Sequence, residues 1–171
     1  MTQRVILILC GLPFAGKTTL AKLFEKKGFV RITLDETNSE FGLKFSLKKV
    51  PKKIVREADA FYFKKIEENV RSERDIICDS TAHLKSTRDR IKRIGEKYNA
   101  KAYILYIPTS VKITKKRWME NKKIGERQDI REEDFDNIIS HFEYPTEDEH
   151  VFTVDNQHYS KQTIENIIKN L

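Results

Sequence analysis

Gly11-Leu12-Pro13-Phe14-Ala15-Gly16-Lys17-Thr18 matches the phosphate-binding pattern G-x-x-x-x-G-K-[ST] at every fixed position. The octet lies between an apolar run, Val5-Ile6-Leu7-Ile8-Leu9-Cys10, and a helix-like run from Thr18 to Lys27. That is the strand–loop–helix context the pattern needs. Gly11 and Gly16 let the backbone close around phosphate oxygens, while amide groups and a helix N-terminus favour the anion. Leu12, Pro13, Phe14, Ala15 and Thr19 complete the expected nucleotide-binding stretch. Lys17 has the reach for β- and γ-phosphates, and the Thr18 hydroxyl can ligate Mg²⁺.

Beyond the octet, short apolar segments alternate with helix-like ones, which argues for an α/β fold with a mainly parallel sheet. Strands are expected at about 4–10, 29–33, 75–78, 102–107 and 151–154. Helices are expected at 17–27, 52–72, 86–99, 110–122, 132–142 and 160–170. Trp118, the single tryptophan, reads as a core residue. No repeat or low-complexity linker divides the 171 residues, a length that suits one domain over 1–171. Two stretches lack periodicity: 35–51, expected to receive an acceptor, and the polar, Gly125-bent 121–131, expected to form a lid over phosphate. Both follow strand–helix units, and α/β sheets bind ligands beyond the carboxyl ends of their strands.

Composition narrows the setting. The net charge of +7 suits anionic ligands, although lysines beside many glutamates also read as solvated helix faces. Two cysteines make no disulfide framework; Cys10 and Cys78 read as small strand residues. His83, His141, His150 and His158 are scattered, without zinc-ligand spacing. Arg4 before an apolar run faintly imitates a signal peptide, but the run is too short, and no segment has the length to span a membrane. A cytoplasmic location is expected.

Candidate chemistry sits where strands end. Asp35, just past the second strand, could accept the proton of a hydroxyl that attacks a γ-phosphoryl group, or could cap the next turn. Asp79, after Ile76-Ile77-Cys78, is placed to organise Mg²⁺ or, with Ser80, to cap. Arg117, Arg127 and Arg131 lie in or beside the expected lid, where an arginine can stabilise charge on a moving phosphoryl group; Arg127 is the favoured one. Arg88 and Arg90 are expected to face solvent or to bind an anionic substrate.

These residues resemble a group of small P-loop kinases that includes polynucleotide 5′-kinase domains, zeta-type toxins and chloramphenicol phosphotransferase. The similarity covers most of the chain. It rests on residues 11–19, Asp35, Ile77-Cys78-Asp79-Ser80-Thr81 with Arg88 following, Gly125-Glu126-Arg127, and Phe142-Glu143-Tyr144-Pro145-Thr146-Glu147-Asp148-Glu149. The resemblance implies a P-loop, nucleoside-monophosphate-kinase-like fold of five strands with flanking helices and a small lid. It implies an ATP (or GTP) donor, Mg²⁺, and transfer to a hydroxyl of a small molecule or a nucleic acid 5′-end. It makes Lys17, Asp35 and Arg127 catalytic, and puts Thr18 and Asp79 at the metal.

The sequence also departs from the group. Where polynucleotide kinases carry an arginine shortly after the base, this chain has Glu36-Thr37-Asn38. Asp79-Ser80-Thr81-Ala82 lacks the group's asparagine, and the paired lid-helix arginines are Arg117 and Asn121. These changes speak against a nucleic-acid acceptor, whereas the positive charge speaks for one. Two other readings stay open: an NTP-hydrolysing regulatory switch, and a toxin-like kinase of sugar nucleotides.

Overall fold

The computed structural model describes residues 3–43, 50–125, 129–155 and 159–171. Its elements, in chain order, are β1 (Arg4–Cys10), α1 (Lys17–Glu25), β2 (Val30–Thr33), α2 (Leu34–Glu40), α3 (Lys52–Arg71), β3 (Ile76–Asp79), α4 (Lys85–Lys97), β4 (Ala100–Tyr106), α5 (Val111–Ile124), α6 (Glu132–Ser140), β5 (Val151–Thr153) and α7 (Lys161–Lys169). The five strands form one sheet in the order β2-β3-β1-β4-β5, and every pairing is parallel.

β1 is central because it is apolar on both faces. Ile6, Ile8 and Cys10 point to one side, where Tyr62, Ile66 and Val70 of α3 and Ile91 of α4 cover them. Leu7 and Leu9 point to the other, against Leu20 and Phe24 of α1 and Ile164 and Ile167 of α7. Each such buried aliphatic side chain contributes about 1.5–3 kcal/mol of transfer free energy. α4 lies close on its face because of Gly95: a Cβ there would stand 2.8 Å from the carbonyl oxygen of Ala100.

Every expected strand and every expected helix falls within two residues of its observed bounds. The fourth strand starts earlier than expected, at Ala100. A larger difference is α2, inside the stretch expected to lack structure. Seven residues are too few to show periodicity, but a cap was present in the sequence: Thr33 Oγ1 accepts from Glu36 N at 2.9 Å, and Glu36 stands at the third position after it. Asp35 therefore sits in the first turn of a helix and not in an open loop. In the expected lid, Asn121 to Ile124 belong to α5, which ends at Gly125 in the left-handed region at φ 71°. Arg127 and residues 44–49 lie outside the described residues.

Candidate phosphate-binding site

β1 delivers the chain to Gly11 at the carboxyl edge of the sheet. Gly11 N donates to Thr81 O at 3.2 Å, which fixes the loop to the exit of β3. The loop then turns on itself, with Ala15 N donating to Leu12 O at 3.1 Å. Its turn needs two left-handed residues, Phe14 at φ 62° and Gly16 at φ 100°. Phenylalanine disfavours that region, and tertiary contacts hold it there. Arg117 Nη1 donates to Phe14 O at 3.2 Å, and the Phe14 ring meets Phe135 at 6.5 Å between centroids. Phe135 is fully buried and stacks on Trp118 at 5.1 Å. Trp118 Nε1 in turn donates to Asp129 Oδ1 and Ile130 O. Asp129 and Ile130, the described residues that follow Gly125 in the stretch expected as a lid, are thereby linked to the phosphate loop.

Gly16 opens α1, so the first amides of that helix face the loop and its dipole favours an anion. Lys17 is buried, and its ammonium donates to the loop carbonyls Gly11 O at 2.9 Å and Leu12 O at 2.6 Å. Thr18 Oγ1 donates to Asp79 Oδ1 at 3.3 Å. A hydroxyl and a carboxylate side by side at the mouth of the loop are the hard oxygen donors Mg²⁺ prefers. Among the described residues, no cluster of three or more His, Cys, Asp or Glu could hold a metal by itself. This donor pair fits an ion whose other positions are filled by phosphate and water.

Asp35, in the first turn of α2, is exposed. Partial desolvation nevertheless raises its pKa, and the charges of Asp79 and Glu36 add to this; Lys17 and Arg31 pull the other way. The structure thus brings Lys17, Thr18, Asp79 and Asp35 into one electrostatic neighbourhood.

The arginines divide. Arg117 reaches the loop. Arg131 is turned back onto α6, with Nε and Nη2 each 2.8 Å from the Asp134 carboxylate. Arg88 corrects the expectation of a solvent-facing or anion-binding side chain: it is 1% exposed. Its Nε and Nη2 grip Glu149 at 2.7 and 3.1 Å, and Nη1 donates to Ala82 O and Glu143 O. It clamps the segment before β5 to the start of α4. Arg90 packs over the Phe63 ring at 3.7 Å and pairs with Asp59.

Two residues at the site carry no motif. Arg31, on β2, contacts Asp79. Tyr159 lies against Gly16, where a Cβ would come within 3.2 Å of its hydroxyl. Burial pushes that hydroxyl up to about 12, past the opposing effect of Arg117.

A family profile described as an AAA domain matches residues 6–145, from within β1 to just past α6. The chain belongs to the AAA domain family. Among solved structures, this AAA domain is similar to a Chloroflexus aurantiacus protein provisionally designated a kinase, at 16% identity and a TM-score of 0.78, covering 99% of this chain and 98% of that one. It is similar to Chaetomium thermophilum Kti12 in complex with ADP-AlF3, at 17% identity and a TM-score of 0.69, with 96% of each chain covered. It is also similar to the APS kinase CysC of Mycobacterium tuberculosis in complex with AMPPNP and APS, at 11% identity and a TM-score of 0.66, covering 99% and 98%. Comparison with curated protein sequences returns no match. The fold of this AAA domain is that of P-loop kinases. Among its described residues, no helix is long and apolar enough to cross a membrane.

Proposed function

We propose that this protein is a P-loop kinase that moves the γ-phosphoryl group of ATP or GTP to a hydroxyl, with Mg²⁺ bound. The observation that carries this reading is the pairing of Thr18 and Asp79 at 3.3 Å beside a second carboxylate, Asp35, at the mouth of the loop. A phosphate loop that only hydrolysed nucleotide would not need that second carboxylate on the acceptor side. Bound metal would neutralise phosphate charge. Loop amides and Lys17 hold the phosphates, and Asp35 takes the proton of the attacking hydroxyl. The new P–O bond forms as the bond from the γ-phosphorus to the bridging oxygen breaks, leaving a nucleoside diphosphate. Arg117, which donates to the loop carbonyl of Phe14, would stabilise this charge; Arg127 and Arg131 remain candidates for the same role.

The acceptor is a small alcohol or a nucleic acid 5′-hydroxyl. Glu36-Thr37-Asn38 after Asp35 supports the first, and the net charge of +7 supports the second. A cytoplasmic setting suits a nucleoside triphosphate donor and the two free, buried thiols of Cys10 and Cys78. The test is a radiolabelled-ATP transfer screen across 5′-hydroxyl DNA and RNA oligomers, nucleosides, sugars and aminoglycoside-like alcohols. Asp35→Asn should keep nucleotide affinity and lower transfer by roughly 10²–10⁴-fold. Nucleotide turnover that no acceptor accelerates would replace the kinase reading with that of a regulatory NTPase.

A further inference from the structure

Three carboxylates converge on Arg31. Its Nη1 donates to Asp79 Oδ2 at 3.1 Å and its Nη2 to Glu36 Oε1 at 3.0 Å, while Nε stands 3.5 Å from Glu25 Oε2. The partners come from three elements: the end of β3, the first turn of α2 and the end of α1. They are not equivalent. The side chains of Glu25 and Glu36 are 51% and 63% exposed, so solvent screens those pairs. The side chain of Asp79 is 6% exposed, and that of Arg31 only 14%. The strong contact is therefore the one to Asp79.

Asp79 is also the residue whose orientation matters most. A carboxylate held at one oxygen can still rotate about its last bond. Here Arg31 holds Oδ2 and Thr18 donates to Oδ1, so the carboxylate plane is set. Arg31 reaches in addition to Glu36, the residue after Asp35, and so connects the metal-side carboxylate with the turn that carries the acceptor-side one.

We propose that Arg31 is a positioning residue for the Mg²⁺-nucleotide: it turns Oδ1 of Asp79 toward Thr18 and the mouth of the loop, without touching substrate. The inference rests on reading Thr18 and Asp79 as the metal pair. Partners that orient metal-side ligands, when removed, commonly cost about 10–100-fold in metal affinity.

Charge and orientation predict opposite signs. Through charge alone, Arg31 repels Mg²⁺, and its removal would strengthen metal binding. Through orientation, its removal weakens it. The experiment is calorimetric titration of ATP into the full chain, once with Mg²⁺ and once with chelator, for wild type, Arg31→Gln and Arg31→Lys. The readout is the ratio of the two affinities. Wild type should bind more tightly with Mg²⁺. Arg31→Gln should lose about tenfold or more of that ratio, and measurable chelator-side binding reports a folded chain. Arg31→Lys keeps the charge but lacks the planar fork. It should fall between the two, and it serves alone if the glutamine variant does not fold. A ratio unchanged or raised in these variants overturns the inference and leaves the kinase reading standing. A wild-type ratio of one removes the metal pair, and the inference with it.

Discussion

Replacing Arg88 by Met separates a structural arginine from an anion-binding one. The change keeps a long side chain and deletes the guanidinium that holds Glu149 at two points and two backbone carbonyls besides. Glu149 would be left with a side chain only 5% exposed, the backbone N and hydroxyl of Thr146 as donors, and the Lys85 ammonium at 3.8 Å, which is itself shared with Asp148. Breaking a buried pair from one side costs about 3–5 kcal/mol, because the remaining charge has lost its partner. For a chain of this length each kcal/mol lowers Tm by about 2–4 °C, so the expected loss is roughly 6–20 °C. The double variant Arg88→Met/Glu149→Leu, with no orphaned charge, should be more stable than Arg88→Met by at least about 1 kcal/mol. Urea unfolding and calorimetry measure both, and nucleotide titration of the folded protein completes the comparison. A Tm within about 2 °C of wild type, joined to a large loss of nucleotide affinity, would refute the reasoning and return Arg88 to the binding site.

Three further outcomes follow from the same geometry. Burial raises the Glu149 carboxyl, but Arg88 and Thr146 N outweigh it and hold the pKa below 4.5, so its stabilisation is present above about pH 4.5 and is lost as the pH falls through the folded value; acid unfolding of Glu149→Gln should show a shallower slope there than wild type. Burial and Asp79 raise the Asp35 carboxyl above 3.8, so the acidic limb of transfer should lie at higher pH than for an ordinary aspartate; a limb at or below pH 3.8 would point to another base. Nucleotide should change the emission of Trp118, since Phe135 links it to Phe14 in the loop, and Phe14→Ala should mute the response; equal responses in both proteins would dispose of that route.

What could be read in advance followed locality. The phosphate loop is a contiguous pattern, and β1 is apolar on both faces, so both were legible from adjacent residues. α2 was missed because seven residues show no period, although the Thr33 to Glu36 cap marked its start. Arg88 was misjudged for a different reason. Its neighbours in α4 are polar, and nothing near it announces Glu149, a partner 61 residues away. Arg31 and Tyr159 were invisible in the same sense. A lone arginine on an edge strand and a tyrosine before a helix acquire meaning only once the sheet order brings Asp79 and Gly16 beside them.

That sheet order also sets a timetable. β1 emerges from the ribosome before both of its neighbours, β3 and β4, and the loop it carries needs Thr81 to fix its first amide, Arg117 to hold its Phe14 carbonyl and Tyr159 to close its side. Such non-local pairings form late, after the costly closure of long loops. A growing chain therefore displays the phosphate-binding sequence early, with no competent cradle around it. The loop is finished by Thr81, Arg117 and Tyr159, all synthesised after it, so that nucleotide capture would report that these later segments have joined β1.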